Sequence, residues 1–427
     1  MGAHPRARVS ATDEGLRALE SRTVFAGWAA RPADAVRDVA GAGRVLEGLL
    51  RGGDPAPSVV VTGSKGKGQT AAEIAWRLQA CGLRVGLVSS PGIISNRDRF
   101  VLDGQVLPAA AYRAGLHRLA AVLPEAAPAP GAYLAPTDLF TVLGHAMLRA
   151  AGAQVVVHEA GMGGAHDAVS LFDPVAVALT RILPEHLDVF GPSLMHVAQE
   201  KIGLVHGPAP VASVPQAPGP DRLLRRTCAR HAAPLVVVPA GDFLVENERV
   251  ALAAARAAAR ALGVDEPPEG FGSSPVRRPG RGSAHRLPDG CLLVVDAGID
   301  AAGAAHALEA ARAVSDAGRV QRVWWSVPMT KDWRAIADLL DDRGVEHAFV
   351  DLGRDGHLDY RLPGELTERV PVIGLAQLLE RIRPGRDAAS DPTRVELALG
   401  TISFGTAVLR QLGVQVRRLW SLETPRG

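Results

Sequence analysis

The stretch Ser58-Val59-Val60-Val61-Thr62-Gly63-Ser64-Lys65-Gly66-Lys67-Gly68-Gln69-Thr70 (SVVVTGSKGKGQT) decides the fold. Its first half is a short β-branched run that stops at glycine, the pattern of a buried strand. A helical segment, Ala71–Ala80, follows at once. Between them lies a turn of glycines and lysines. Such a turn exposes several backbone N–H groups, and the helix N-terminus behind it adds its positive dipole end. Gly63, Gly66 and Gly68 let the backbone approach an anion closely. Lys67 can reach terminal phosphates, and Lys65 adds a second charge in the same loop. The strict pattern GxxxxGK[ST] is not met, because Gly68 and Gln69 follow the lysine. The candidate phosphate cradle is therefore Gly63, Ser64, Lys65, Gly66, Lys67, Gly68, Gln69 and Thr70, against the simpler reading of a tight strand-to-helix turn.

Outward from this loop, helix and apolar strand alternate, the signature of α/β layers on a mostly parallel sheet. Residues 58–61, 85–89, 155–158, 175–180 and 234–238 read as buried strands, with Ala- and Leu-rich helices between them, such as 70–80 and 140–151. The segment 266–282, EPPEGFGSSPVRRPGRG, is rich in Pro, Gly and Ser and reads as a linker. Beyond it strands are expected at 291–295, 321–327, 347–351 and 397–402, with helices at 301–313, 333–343 and 405–412. The expectation is two α/β domains, 1–272 and 273–427, with a ligand cleft between them. There is no internal repeat.

The 427 residues suffice for two domains with ample core, and 47% are hydrophobic. A formal net charge of +2 implies no general affinity for nucleic acid or membrane, so small-molecule partners are expected. Oligomeric state is not readable. The three cysteines, Cys81, Cys228 and Cys291, are scattered, which indicates neither a disulfide framework nor a zinc site and fits a cytoplasmic protein. The N-terminus lacks the apolar core of a secretory signal, and no stretch approaches the roughly 20 apolar residues that span a bilayer.

Three further stretches carry polar residues at strand ends. VVVHEAGMGGAHD, residues 155–167, is a strand ending in Glu159 and then a glycine cluster. In a doubly wound sheet Glu159 lies near the glycine loop. A carboxylate there suits a hard, oxygen-liganded Mg²⁺, and equally a solvated loop acid. VALTRILPEHLD, residues 177–188, brings His186 after a strand, and AQEKIGL, residues 198–204, brings Glu200 and Lys201. Alone, the histidine reads as structural and the Glu-Lys pair as solvated surface.

In this order the stretches resemble the folylpolyglutamate synthase/dihydrofolate synthase family of the Mur ligase superfamily. The family's GTNGKGS is GSKGKGQ here, and SSPGIISNRDRFVLDG keeps Ser90, Pro91, Asp98, Arg99, Asp103 and Gly104 of its second motif. EAGMGGAHDAVS keeps Glu159, Gly161, Gly163, Gly164, Asp167 and Ala168 of EVGLGGRLDATN. The aspartate–histidine motif becomes Glu185-His186, EKAGI becomes Glu200-Lys201-Ile202-Gly203-Leu204, and the linker-proximal PGR survives as Pro279-Gly280-Arg281. DGAHN becomes Asp296-Ala297-Gly298-Ile299-Asp300, and Gly400–Gly405 resembles a late GSLYLVG-like stretch.

The resemblance implies a Mur-ligase-like central P-loop ATPase domain with a mostly parallel sheet, followed by a smaller C-terminal Rossmann-like α/β domain. It implies an ATP-dependent, ADP-forming ligase that phosphorylates a carboxylic acid and lets an amine, possibly an amino acid, displace the phosphate. The loop and Lys67 would hold the phosphates. Glu159, His186 and Gln69 would ligate Mg²⁺. Lys201 matches a lysine that is carbamylated in the superfamily, so Lys67, His186 and Lys201 are the catalytic candidates. Asn247, Arg281 and Asp296 would contact the nucleotide, the last two from the second domain. Gln69 stands where the family has Ser, Lys65 where it has Asn, Gly92 for a His, Ala165 for an Arg, and Ile299 and Asp300 for the His and Asn of DGAHN. These departures favour an acid other than folate, in a specialised biosynthetic pathway. The alternatives are a genuine folylpolyglutamate or dihydrofolate synthase, and a nucleotide-binding or scaffold protein without turnover. Trp28, Tyr112, Tyr133, Phe140 and Phe190 are the first-domain aromatics able to stack on a pterin or to fill the core.

Overall fold

The computed structural model describes residues 11–32, 34–267, 274–287, 289–315, 318–355, 358–362, 364–382 and 393–422. They divide into two compact units, the first taking the described residues of 11–276 together with 417–422 and the second those of 277–416. The boundary expected at 272/273 lies outside the described residues.

The sheet of the first unit contains β1 (Ser58–Thr62), β2 (Val85–Val88), β3 (Phe100–Leu102), β4 (Gln105–Val106), β5 (Val155–Glu159), β6 (Pro174–Leu179), β7 (Val211–Ser213) and β8 (Leu235–Val237). Their spatial order is β8-β7-β6-β1-β5-β2-β3-β4. The first six in that order run parallel, and β3 and β4 close the edge antiparallel. β1 is buried along its whole length, which is why its residues form a near-continuous apolar run rather than an alternating one. The helices that position the site are α1 (Val39–Leu50), α2 (Lys67–Ala80), α3 (Pro136–Ala150), α4 (Leu194–Ile202) and α5 (Phe243–Leu262). From β1 the chain crosses through α2 to β2, passing over the place of β5. It then returns through α3 to β5. Right-handed crossovers in opposite directions put α2 and α3 on opposite faces. α3 packs with α1 over a core that includes Val88, Phe100, Phe140, Leu143, Val156 and Phe172. Each large apolar side chain buried there contributes about 2–3 kcal/mol relative to exposure.

In the second unit β9 (Ser283–Arg286), β10 (Leu292–Asp296), β11 (Arg322–Ser326), β12 (Glu346–Asp351), β13 (Val372–Gly374) and β14 (Val395–Gly400) form a sheet ordered β9-β10-β14-β11-β12-β13. Only the edge strand β9 is antiparallel to its neighbour within this sheet. The helices α6 (Ala301–Ala313) and α7 (Trp333–Asp342) pack on it through Ala304, Leu308, Ile336 and Leu340, around the buried Trp325. Two mostly parallel α/β units are the architecture expected from the sequence.

The last described residues, 417–422, belong to the first unit. Val106 donates to the Arg417 carbonyl at 2.9 Å and Leu419 to that of Gly104 at 2.7 Å. Gln105 and Arg418 make an antiparallel bridge. Among the described residues no helix is long and apolar enough to cross a membrane.

Candidate functional site

β1 has β6 on one side and β5 on the other, and the chain leaves in opposite directions from β1 and from β5. The carboxyl end of β1 is therefore the topological switch point, where open α/β sheets bind ligands. Thr62 and Gly63, Glu159 and Thr180 stand there side by side, each at the end of its strand.

The loop after β1 is shorter than the sequence suggests. The helix α2 starts at Lys67, so Gly68, Gln69 and Thr70 occupy its first turn rather than a turn ahead of it. Gly66 makes this possible, because it caps the helix at φ 84, a left-handed conformation that costs glycine little. The first-turn N–H groups have no partner within the helix and face the loop. Ser64 in the loop is already engaged through its side chain and its backbone. Ser64 Oγ accepts from Leu183 N–H at 2.9 Å, and Ser64 N–H donates to the Arg181 carbonyl at 3.0 Å. These bonds fix the loop to the segment after β6. Lys65 is half-buried.

Two ammonium groups meet at one carbonyl. Lys67 Nζ donates to Gly63 O at 3.1 Å and Lys201 Nζ donates to the same oxygen at 3.0 Å. Lys201, from α4, is fully buried and also donates to Met162 O at 3.1 Å and to Glu185 Oε1 at 2.9 Å. Its three N–H donors thus have three acceptors. Burial holds the Lys67 ammonium below the usual lysine range and the charge of Lys201 adds to the effect, while Glu159, Glu185 and Asp167 oppose it. Burial alone raises Glu185, but Lys201 and Lys67 outweigh it and the carboxyl titrates below its ordinary value. The site floor is thus a paired cation cluster, with Glu185 as its counter-ion.

The glycine segment after β5 is held from three sides. Asp167 Oδ2 accepts from Gly161 N–H at 3.2 Å and lies 3.5 Å from the Arg37 guanidinium. Arg37 also grips Asp138, whose Oδ1 accepts from Ala168 N–H at 3.0 Å. From α4, Glu200 Oε1 accepts from Gly164 and His166 N–H, both at 2.9 Å. The pair Glu200-Lys201, a surface pair by sequence, therefore ties two loops together. Arg37 and Glu185 were absent from the sequence-derived candidates. Arg37 gives no local signal, since its partners lie about a hundred residues away. Glu185 was visible as the neighbour of His186 but carried no assigned role.

Of the expected metal ligands, Glu159 is buried at the strand end with Oε2 accepting from Ser90 N–H at 2.9 Å. His186 is exposed, in a left-handed conformation at φ 51, with its ring edge-on to Phe190 at 6.1 Å. Phe190 lies in turn 5.9 Å from Lys201 Nζ. Gln69 donates its amide to Glu73 Oε1 at 2.9 Å, one turn along α2. Thr70 is fully buried, and its hydroxyl has no hydrogen-bond partner among the described residues. Among the described residues no three His, Cys, Asp or Glu side chains are grouped to hold a metal ion. The structure thus offers a buried carboxylate at a strand end and an exposed histidine, with Gln69 tied into its own helix.

Asn247 is buried on α5 against the loop, where a Cβ on Gly66 would stand 2.3 Å from its Nδ2. Phe243, 40% exposed, flanks the same glycine and opens the loop's outer edge. In the second unit Asp296 ends β10 and accepts from Gly282 and Gly298 N–H at 2.8 and 2.9 Å, with Arg281 nearby. Burial raises the Asp296 carboxyl above its ordinary range against the pull of Arg281. Asp300 is the N-cap of α6, accepting from Gly303 N–H at 2.8 Å. Of the five candidate aromatics, Tyr112 and Phe140 are core. Trp28 is 43% exposed and carries the Arg31 guanidinium 4.4 Å from its ring, with half-buried Tyr133 on the other side at 5.4 Å.

No family model matches the chain. A probable bifunctional folylpolyglutamate synthase/dihydropteroate synthase of Haloferax volcanii is 37% identical over 164 residues, 38% of this chain and 20% of the relative. The matched segment thus spans about a fifth of that relative's length. The apo form of L. casei folylpolyglutamate synthase superposes with a TM-score of 0.73 at 21% identity, covering 94% of this chain and all of that one. Mycobacterium tuberculosis folylpolyglutamate synthase, complexed with ADP and AMPPCP, gives 0.69 at 21% identity over 89% of this chain and 96% of its own. At that identity the two structures speak for the fold alone. The chain is thus similar to folylpolyglutamate synthases over part of its sequence and shares their fold.

Proposed function

We propose that this chain is an ATP-dependent carboxylate–amine ligase that works through an acyl phosphate and releases ADP. The observation that carries the reading is the cation pair. Lys67 and Lys201 share the Gly63 carbonyl at 3.1 and 3.0 Å beneath a helix N-terminus at the switch point of the sheet. Transfer of a phosphoryl group asks the protein mainly for positioning and charge neutralisation. The first-turn N–H groups of α2 and the Lys67 ammonium supply both to a polyphosphate. In this reading Lys67 leaves the Gly63 and Ser64 carbonyls when phosphate arrives. Glu159 and His186 are the residues that would hold Mg²⁺, which when bound neutralises phosphate charge. Asn247 and Phe243 flank the loop where the rest of a nucleotide would lie.

The acid and amine to try first are a folate or dihydropteroate and glutamate, the pair suggested by the relatives' names. The sequence departures that pointed to another acid have local explanations that do not involve the acid. Asp300 caps a helix, Ile299 packs against the second unit's core and Gln69 pairs with Glu73. Binding without turnover is the second reading, favoured by the Gln69–Glu73 bond, which turns that amide toward α2.

Titration calorimetry with ATP, with and without Mg²⁺, tests the site. Lys67→Ala removes one charge-assisted contact worth about 1.5–3 kcal/mol, so ATP should bind roughly 10- to 100-fold more weakly. Equal affinity in wild type and variant would exclude Lys67 from the site. ADP release that depends on both acid and amine separates ligase from binder.

A further inference from the structure

Making an amide from an amino acid requires a group that takes a proton from the ammonium before it attacks. The titratable groups at the floor of the site are already committed. Lys67 and Lys201 are cations on one carbonyl, Glu185 pairs with Lys201, Asp167 accepts the Gly161 N–H beside Arg37, and Glu159 accepts the Ser90 N–H. One other basic side chain stands on the glycine segment. His166 occupies a position where the family motif has Leu.

Its geometry is that of an oriented base. His166 Nδ1 lies 2.7 Å from Glu200 Oε2, and the other oxygen of that carboxylate is fixed by the N–H groups of Gly164 and His166. The hydrogen bonds from His166 hold the Glu200 carboxyl below its ordinary range, outweighing the effect of burial. A carboxylate can only accept, so Nδ1 carries the proton in the neutral imidazole and Nε2 keeps its lone pair. The His166 side chain is 84% exposed, so that lone pair faces solvent. The same short loop reaches the cation cluster, because Lys201, the neighbour of Glu200 on α4, binds the Met162 carbonyl at 3.1 Å. Glu200 from α4 is the charged group facing the imidazole. Asp167, next in its own loop, is turned to the backbone of Gly161 and Val169.

We propose that His166, oriented by Glu200, is the general base that deprotonates the amine substrate. This rests on the ligase reading above. Nε2 takes one proton from the ammonium, and the freed nitrogen lone pair forms the C–N bond at the acyl carbon. The C–O bond to phosphate breaks, its electron pair leaves on inorganic phosphate, and the second N–H proton departs with that phosphate.

The test uses the full chain with ATP, Mg²⁺, a folate or dihydropteroate, and glutamate, followed by a wider acid–amine panel. His166→Gln is an exposed, near-isosteric change that leaves folding intact. It should lower the rate of amide formation by about 10²–10⁴-fold at neutral pH. Oxygen-isotope scrambling in ATP with the acid alone, which reports acyl phosphate formation, should stay near the wild-type rate. The loss should be largest at neutral pH and below, and the variant should recover toward the wild-type rate as pH rises and free amine accumulates. His166→Gly should regain part of the rate in added imidazole. Amide formation by His166→Gln within twofold of wild type across the pH range would overturn the proposal. So would an equal loss of isotope scrambling, which would move the residue to the phosphoryl step. No acid- and amine-dependent ADP from the wild type across the panel would overturn the ligase reading and this inference together.

Discussion

His158 precedes Glu159 on β5, and strand alternation sends the two side chains to opposite sides. His158 stacks in the core on His145 of α3 and on Phe172, with its Nε2 3.0 Å from His145 Nδ1. Ala56 N–H donates to His145 Nε2 at 3.1 Å, so that nitrogen carries no proton. His145 therefore donates from Nδ1, and the remaining proton of the pair sits on His158 Nδ1, which has no partner among the described residues. Burial lowers His145 to about 4, with Arg149 adding to the effect, and holds His158 well below its ordinary value, with His145 adding to it. The unfolded chain protonates both near 6.5, so between 6.5 and about 4 it binds more protons than the folded chain and stability falls as pH falls. For His145 alone the full effect is about 3 kcal/mol. Urea unfolding midpoints followed from pH 7 to 4 should decline more steeply in wild type than in a His145→Phe/His158→Leu variant. Parallel profiles would refute the buried neutral pair. The sequence shows His158 inside an apolar run, hence buried. It gives no hint of His145 as partner, because that contact joins a helix to a strand. The same limit hid Arg37 with Asp138, and left Glu185 without its role as counter-ion to Lys201.

The element that carries the site is β1, its loop and α2, and it was the most legible part of the chain. A wholly buried parallel strand is apolar throughout, and glycines mark the points where backbone passes close to something else. Gly66 is the sharper case, with φ 84 and Asn247 Nδ2 only 2.3 Å from where a Cβ would be. Gly66→Ala must therefore bear both a left-handed conformation, about 1–2 kcal/mol, and displacement of Asn247 from the loop. Chemical denaturation should show that loss of stability, and calorimetry should show weaker ATP binding from the same protein. A variant with wild-type values in both would mean that the loop relaxes freely and α5 does not brace it. The short strands were less legible. Phe100–Leu102, Gln105–Val106, Val211–Ser213, Ser283–Arg286 and Val372–Gly374 were not expected as strands. They have two to four residues each, too few for a period to emerge, and several lie at sheet edges where apolar and charged residues mix.

At the scale of the whole molecule, chain order misleads. Residues 273–427 read as one C-terminal domain, yet 417–422 complete the edge of the first unit's sheet. Nothing local marks this. Strand pairing across some three hundred residues is set by what the fold leaves uncovered, here the outer edge at β4. Trp420 anchors the segment. It is 2% exposed, its Nε1 donates to Gln79 Oε1 at 2.6 Å near the end of α2, and its backbone carbonyl lies 2.3 Å from where a Cβ on Gly104 would be. That close approach gives Gly104, with φ 80, a structural reason of its own. Truncating a buried Trp in such a seat costs about 3–5 kcal/mol. Trp420→Ala should therefore lower the stability of the first unit by that order, although the residue follows the whole of the second unit in the chain. Hydrogen exchange locates the loss. The amides of Val106 and Leu419, which bond to Arg417 and Gly104, should lose protection first, before those of β10 and β14. If the variant instead loosened the second unit's strands and left Val106 protected, the segment would belong with the domain that chain order suggests.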